Sequence, residues 1–187
     1  AIFTEAPKTR GLIVIYDSEG FFYCGNRESN RQQCPRCRNH SQLHLASSLL
    51  RTLKDAMREA GGADKEFIAW NYDKDSEWVL DLIPMLPKDI IIQSNFSKGT
   101  VVERDGVKSR AGDYNLTSVG PPELFLKIHE AASQNGLRLM AKTEHAVSQE
   151  AIFVPYIPAM EQWHRRIARI RDFNVCGWFG NWSHYGW

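Results

Sequence analysis

The sequence lacks long apolar runs, basic blocks and low-complexity tracts, and these absences exclude several classes of protein. No apolar segment approaches the roughly 20 residues that a transmembrane helix needs. The 23 basic and 22 acidic residues give a net charge of +1, without the basic patch that binding to nucleic acid or to a membrane surface requires. We therefore expect a soluble protein with no nucleic-acid and no membrane partner. The first residues lack the apolar core of a signal peptide, but the sequence starts abruptly, so cytoplasmic and exported (periplasmic or extracellular) locations both stay open.

Cysteine is scarce, with four residues in the chain, yet three of the four lie close together in sequence. The pair Cys34 and Cys37 has the two-residue gap that lets both thiolates reach one tetrahedral zinc ion. Cys24 and His40, or His44 in place of His40, would complete a structural site. A disulfide or free thiols are the alternatives. Such an ion would be structural: it would order its loop and take no part in chemistry. We expect no catalytic cofactor.

The chain does contain five short apolar runs that each end in polar or acidic residues, over 12–19, 67–73, 90–95, 137–144 and 175–182. Patterns typical of helices lie between most of them, over 41–60, 77–86, 121–134 and 158–171. Alternation of strand and helix predicts the α/β class, with a parallel sheet covered by helices. The long segment 96–120 also contains Glu103-Arg-Asp-Gly106, which predicts a hairpin turn.

Carboxylates and aromatic residues at the ends of successive strands are typical of a (β/α) TIM-type barrel, which keeps its catalytic groups there. A complete barrel takes about 250 residues, whereas this chain has 187 residues. We interpret residues 1–187 as one domain, the five C-terminal strand–helix units of a partial barrel without its first strands. A small, complete, doubly wound domain is the alternative. The oligomeric state stays open, although an exposed sheet edge favours association.

The acidic strand ends predict a glycoside hydrolase, because cleavage of a glycosidic bond needs two carboxyl groups on opposite sides of that bond. Glu19 is the candidate general acid, since it ends the first strand. Its partner comes from the later strand ends: Asp113, Glu144 or Glu150. These acids could instead cap helices or form ion pairs, for example with Lys142.

The predicted substrate is a carbohydrate, because sugars pack their C–H faces on aromatic rings and bind polar side chains through their hydroxyls. Residues of both kinds lie at the predicted strand ends, and the alternative is ordinary core packing. The candidate substrate-binding residues are Asp17, Trp70, Asn71, Asp73, Lys142, Asn181 and Trp182.

Several segments together resemble the xylan-debranching α-glucuronidase family: Ile90–Asn95, Gly112–Asn115, Gly120–Phe125, Met140 and Ser148–Glu150. That family has a (β/α) barrel and inverts configuration. The resemblance implies that Glu19 is the acid and that Asp113 and Glu150 hold the attacking water. If Glu144 replaced Glu150, the pattern would be that of a retaining barrel glycosidase. A hexosaminidase-like pattern is a third reading, although Ser18 stands where that pattern has an aspartate.

The sequence thus predicts an enzyme of polysaccharide degradation, a glycoside hydrolase that works by acid–base hydrolysis with paired carboxylates. A retaining or hexosaminidase-like barrel glycosidase is the alternative within enzymes. A non-catalytic carbohydrate-binding barrel fragment is the alternative from another class.

Overall fold

A computed structural model describes residues 2–17, 23–72, 77–144 and 159–180, and it has a mixed α/β fold. Its strands are β1 (Gly11–Ile15), β2 (Glu66–Trp70), β3 (Ile90–Asn95), β4 (Val101–Arg104), β5 (Val107–Arg110), β6 (Arg138–Lys142) and β7 (Gly177–Phe179). Five of them form a sheet in the order β1-β2-β3-β6-β7. The pairs β1–β2, β2–β3 and β6–β7 are parallel. The predicted parallel sheet with sequential strands is therefore confirmed.

The helices of the described residues are α1 (Ile2–Glu5), α2 (Glu28–Gln33), α3 (Gln42–Gly61), α4 (Trp78–Leu82), α5 (Glu123–Gln134) and α6 (Met160–Ile170), with short 3₁₀ turns at Cys24–Asn26 and Ile83–Met85. The four later helices, α3 to α6, lie close to the predicted positions, whereas α2 lies in a segment predicted as a polar loop and α1 precedes the predicted helices. Strand β3 spans its predicted run, polar end included, whereas the other four strands of the sheet are shorter than the predicted runs. Among the described residues, no helix combines the length and the apolar character that crossing a membrane requires.

The chain divides into two compact units, and the first comprises Ala1–Gln93 with Ala131–Arg138. Helix α3 begins where the Ser41 side chain accepts a hydrogen bond from the His44 backbone N–H, a standard N-cap interaction. The helix ends before Gly62, whose φ of 105° suits glycine. One face of α3 is buried, including Leu50 and Met57, which are two turns apart as an amphipathic helix requires.

The second unit comprises Ser94–Glu130 with Leu139–Trp187. Its core contains an aromatic cluster in which the ring centroids of Phe96 and Phe125 lie 4.8 Å apart and those of Phe125 and Phe173 lie 5.5 Å apart. The edge-to-face geometry of these pairs favours the interaction of aromatic rings. Strands β4 and β5 form a separate antiparallel pair, which confirms the predicted hairpin. Its turn residues Asp105 and Gly106 have φ values of 50° and 77°, as tight hairpin turns require.

The order and the parallel direction of the strands agree with those of part of an α/β barrel. Whether residues 1–187 are one piece of a larger barrel domain stays a prediction.

The aromatic cluster predicts unequal effects for two neighbouring substitutions in α5. Phe125 is fully buried, whereas Leu126 is 44% exposed. We expect Phe125→Ala to lower the free energy of unfolding by about 3–5 kcal/mol and Leu126→Ala to lower it by less than about 1 kcal/mol. Urea unfolding followed by circular dichroism measures both. Equal losses for the two variants would contradict the packing described here.

Candidate functional site

A buried ammonium group with two carboxylate partners is the main candidate site, and it lies entirely within the second unit. Lys142 is 2% exposed, and its Nζ lies 2.7 Å from Asp113 Oδ1. The same Nζ atom forms an ion pair with Glu144 Oε1. The hydroxyl of Ser97 donates to the other carboxylate oxygen of Glu144 at 3.1 Å. We call Asp113, Lys142 and Glu144 the lysine–carboxylate cluster.

The position of this cluster follows from the end of β6. Lys142 is the last residue of the strand, and Glu144 follows two residues later, so the extended chain directs both side chains to the same side. The backbone is held here by a hydrogen bond from Phe96 N–H to the Lys142 carbonyl at 2.7 Å and by one from Thr143 N–H to the Phe179 carbonyl at 2.9 Å. The strand end is therefore fixed on both edges.

Asp113 comes from a tight loop whose backbone is strained. Tyr114 has a φ of 48°, a value uncommon for a residue with a side chain. Its ring centroid lies 3.9 Å from Lys142 Nζ, a cation–π contact. Asn115 stabilises the loop by donating to the Gly112 carbonyl at 2.7 Å and by accepting from the Ser118 N–H at 3.1 Å. Such strain is frequent at functional sites, where surrounding contacts maintain it.

A second buried cation, Arg166 of α6, connects the Asp113 loop with the end of β6. Arg166 is 1% exposed. Its guanidinium donates to the carbonyls of Glu144, Asn115 and Ser118. Neither Arg166 nor Ser97 was predicted as a site residue from the sequence. The signal for Arg166 was its spacing of one turn from Ile170, which places both residues on the buried face of a basic helix.

The two carboxylates of the cluster differ in how completely their oxygens are hydrogen-bonded. Both oxygens of Glu144 have partners, and the residue is 1% exposed. The Asp113 side chain is 13% exposed, and its Oδ2 has no hydrogen-bond partner in the described part of the chain. Two carboxylates and one ammonium leave a formal charge of −1. Oδ2 is itself a buried atom, so Asp113 holds a buried carboxylate oxygen with no partner among the described residues, and such an unsatisfied atom points to a functional role or to a ligand that supplies the missing hydrogen bond.

The first unit contains three of the predicted substrate-binding residues, Asp17, Trp70 and Asn71, all at the carboxyl ends of β1 and β2. All three are buried, at 1%, 0% and 4% exposure. Burial, and after it the charge of Asp17, raises the pKa of Tyr16 and of Tyr23 well above the usual value, so both phenols lie near this carboxylate. Neither tyrosine was predicted as a site residue from the sequence.

Three of the four predicted metal ligands come together in the first unit. The Sγ atoms of Cys24, Cys34 and Cys37 all lie within 4.8 Å of one another. His40 lies outside this three-cysteine cluster, and its ring stacks on that of His44 with centroids 4.7 Å apart. The cluster could bind a metal ion, and none of the three cysteines is in a disulfide.

Hydrogen bonds within and around the three-cysteine cluster shift the pKa values of two of its thiols in opposite directions. Backbone hydrogen bonds from Arg36, followed by the thiol of Cys24, lower the pKa of Cys34 to about 7. Hydrogen bonding to Cys34 raises the pKa of Cys24 to about 11. The Arg31 guanidinium donates to the His40 carbonyl at 2.9 Å, which closes the loop after Cys37.

This loop is ordered without a hydrophobic core. From Cys24 to Ser41 the sequence has no alanine, valine, leucine, isoleucine, methionine, phenylalanine, tyrosine or tryptophan. Nevertheless the segment forms a 3₁₀ turn and helix α2. Small segments that bury little apolar surface are commonly stabilised by a metal ion or by disulfides. The cysteines are free thiols, and a metal ion bound by them could order this segment.

Five predicted site residues lie outside the described residues: Glu19, Asp73, Glu150, Asn181 and Trp182. The structure therefore leaves their roles as predictions. It brings together Asp113, Lys142 and Glu144, which the sequence analysis had assigned to catalysis or substrate binding.

Comparison with known proteins found no matching family model, no similar curated protein and no similar solved structure. The resemblance to α-glucuronidase-like and hexosaminidase-like hydrolases is therefore wrong as a family assignment. The motifs behind it are short, and one of them has a local explanation. Residues Gly112–Asn115 form a hydrogen-bonded turn, and turns of this composition recur in unrelated folds.

The lysine–carboxylate cluster predicts a large loss of stability when its cation is removed. Lys142→Met leaves two carboxylates without their shared partner, and we expect the free energy of unfolding to fall by about 3–5 kcal/mol. Lys108→Met is the matched control, because Lys108 pairs with Glu103 at 3.6 Å on the surface and such pairs contribute about 1 kcal/mol or less. Urea unfolding measures both. Similar effects for the two variants would contradict a buried ion pair at Lys142.

Proposed function

We propose that this chain is a glycoside hydrolase and that its sheet is the later part of a TIM-type (β/α) barrel. The observation that carries the proposal is the Lys142 ammonium between two carboxylates at the carboxyl end of β6, with one oxygen of Asp113 left without a partner. In barrels of this type the catalytic groups lie at the carboxyl ends of the strands. The sequential parallel order of the strands supports the same architecture.

Asp113 is the carboxylate that faces the sugar in this proposal. It attacks the anomeric carbon or activates the attacking water, which are the two roles of this carboxylate in glycosidases. The Lys142 ammonium and the backbone N–H of Tyr114 both bind Asp113 Oδ1 and hold its side chain in place. A fixed carboxylate needs no reorganisation during the reaction, which is the main benefit of a preorganised site.

In this proposal Glu144 contributes negative charge to the site and does not contact the sugar. The transition state of glycoside hydrolysis resembles an oxocarbenium ion and carries positive charge. The net charge of −1 on the lysine–carboxylate cluster stabilises that charge in a site with little water. The sequence also predicts Glu19 as the general acid, and because Glu19 lies outside the described residues this role stays a prediction.

A purely structural ion pair is the competing explanation, and two features argue against it. Buried ion pairs contribute little net stability relative to apolar residues, so stability alone does not account for the cluster. The left-handed conformation of Tyr114 adds a further cost of about 1–3 kcal/mol. Both costs are understandable if the arrangement serves catalysis.

We further propose that the metal of the three-cysteine cluster is zinc. Three thiolates near one point suit a soft or borderline metal, and structural zinc is commonly bound by three or four cysteines. The ion would order the segment from Cys24 to Ser41, and the tetrahedral geometry of zinc leaves one position for a fourth ligand. It would take no part in sugar chemistry.

The hydrolase proposal predicts a large loss of activity when either carboxylate of the cluster is neutralised. We expect Asp113→Asn and Glu144→Gln to lower kcat by about 10²–10⁴-fold, the usual contribution of such groups, with little change in KM. Glu103→Gln is the control, because its carboxylate pairs with Lys108 on the surface. The assay is release of nitrophenol from a panel of 4-nitrophenyl glycosides. Binding of carbohydrate without any hydrolysis would instead favour the non-catalytic alternative, and full activity of Asp113→Asn would contradict the assignment.

The zinc proposal predicts one ion per chain in protein purified without chelators. Elemental analysis should find it in the wild type and in Cys176→Ser, because Cys176 lies outside the three-cysteine cluster. Cys34→Ser should lose it, since two thiolates bind zinc far more weakly than three. A wild-type protein without zinc, or a Cys34→Ser variant that keeps it, would remove the proposal.

A further inference from the structure

A groove with a volume of about 470 Å³ runs beside the β4–β5 hairpin in the second unit. Five consecutive residues, 100–104, line one side of it, and none of the described residues of β5 does. Side chains alternate between the two faces of a strand, so a groove on one face of the hairpin would be lined by every second residue of both strands. The groove therefore follows the outer edge of β4, and we call it the edge groove.

The register of the hairpin determines which backbone groups of β4 point into the edge groove. At the base of the hairpin the Ala111 N–H donates to the Thr100 carbonyl at 2.8 Å. Hydrogen-bonded positions recur at every second residue of an antiparallel pair, so the alternate residues Val101 and Glu103 direct their N–H and C=O groups away from β5. Among the described residues, no backbone hydrogen bond reaches Val101 or Glu103 from outside the hairpin.

The other wall of the edge groove is held in place by hydrogen bonds. It is formed by residues 117–120 and by Gln162 and Arg165 of α6. The Gln162 side chain donates to the Thr117 carbonyl at 2.7 Å, and the Arg166 guanidinium donates to the Ser118 carbonyl. Since this wall is already ordered, a ligand that enters the edge groove has little protein to rearrange, which lowers the cost of binding.

The charge at the edge groove favours an acidic ligand. Arg104 is exposed and, in the described part of the chain, has no carboxylate partner. Glu103 points to the other face of the hairpin, where it pairs with Lys108 at 3.6 Å. Arg165 pairs with Glu161. Arg104 is thus the uncompensated charge beside the groove, and a carboxylate is the group that a guanidinium binds best.

An unpaired strand edge between two walls fits one kind of ligand. Extended peptides add to such an edge as a further strand, with main-chain hydrogen bonds for affinity and side chains for specificity. The four residues of β4 extend over about 14 Å, enough to pair with about four residues of a peptide. A second copy of the chain fits less well, because it would bring its whole hairpin against the wall formed by residues 117–120 and α6.

We infer that the edge groove binds an extended peptide segment of a protein partner. The segment pairs with β4 through the backbone groups of Val101 and Glu103 and places an acidic side chain beside Arg104. The inference does not depend on the hydrolase proposal, because none of these residues belongs to the lysine–carboxylate cluster.

Amide hydrogen exchange of the whole chain, followed by nuclear magnetic resonance, tests the inference. The probes are acetylated and amidated pentapeptides of threonine and valine with one glutamate at each position in turn, and the same peptides with glutamine. At least one glutamate peptide should slow exchange of the Val101 and Glu103 N–H groups, by about tenfold at ten times its Kd. The N–H groups of Lys108 and Arg110, on the outer edge of β5, should exchange as before.

Two proline substitutions distinguish the two edges of the hairpin. Glu103→Pro removes an outward N–H of β4, and Lys108→Pro removes the opposite outward N–H of β5. Both variants lose the same surface pair, and strand edges tolerate proline at such positions. We expect Glu103→Pro to weaken peptide binding by at least about tenfold and Lys108→Pro to leave it unchanged. Arg104→Gln should remove the preference for glutamate over glutamine, about three- to fivefold.

Modified peptides test backbone pairing even if Glu103→Pro does not fold. Amides that face β4 alternate along a bound peptide with amides that face away. Methylation of one alternate set of peptide nitrogens should therefore abolish binding to the wild-type protein, and methylation of the other set should not. Equal effects of the two sets would contradict the pairing.

Four further results would overturn the inference. The first is unchanged exchange at Val101 and Glu103 with every peptide, and the second is equal slowing on both edges of the hairpin. The third is slowing at high protein concentration without peptide, which would make a second copy the occupant. The fourth is the same slowing by cellohexaose, which would make the groove a site for polysaccharide.

Discussion

The buried ammonium of Lys142 is the constraint on which the candidate site depends. It neutralises part of the charge of two carboxylates that could not otherwise be buried together, since an unpaired charge in a protein interior is very costly. It also fixes the loop that carries Asp113, because Tyr114 contacts the same ammonium through its ring. Without Lys142, neither the burial of Glu144 nor the position of Asp113 has a physical explanation.

Each of the two units contains one candidate site. In the second unit, hydrogen bonds from Ser97 and Arg166 position the carboxylate and the backbone of Glu144 just after β6. In the first unit, three thiols lie close to one point, and a metal ion bound by them could order a segment that lacks apolar residues. The lysine–carboxylate cluster depends on buried ion pairs, and the three-cysteine cluster depends on its thiols. All residues of each cluster belong to one unit.

The sequence predicted the elements better than the contacts. The five apolar runs identified the strands because burial on both faces requires a continuous apolar segment, and Asp105-Gly106 identified the hairpin because that turn needs positive φ values. Lys142 was expected to bind substrate, with an ion pair to the strand-end acids as the alternative; it pairs with Asp113 and Glu144, and spacing along one strand does not show which loop reaches it. Arg166 was missed because its three acceptors are backbone carbonyls, which no side-chain motif encodes. The family resemblance failed because short turn motifs satisfy local geometry in many folds.

The central claim is that the carboxylate of Asp113 acts on the sugar, and chemical rescue tests it most directly. In Asp113→Ala the missing carboxylate leaves space for a small external anion, so sodium azide should restore turnover of an activated 4-nitrophenyl glycoside and give a glycosyl azide as product. The matched variant Asp172→Ala, which loses only a surface pair with Arg169, should be active without azide and gain nothing from it. An Asp113→Ala variant that is fully active without azide, or one that stays inactive at every azide concentration, would contradict the account.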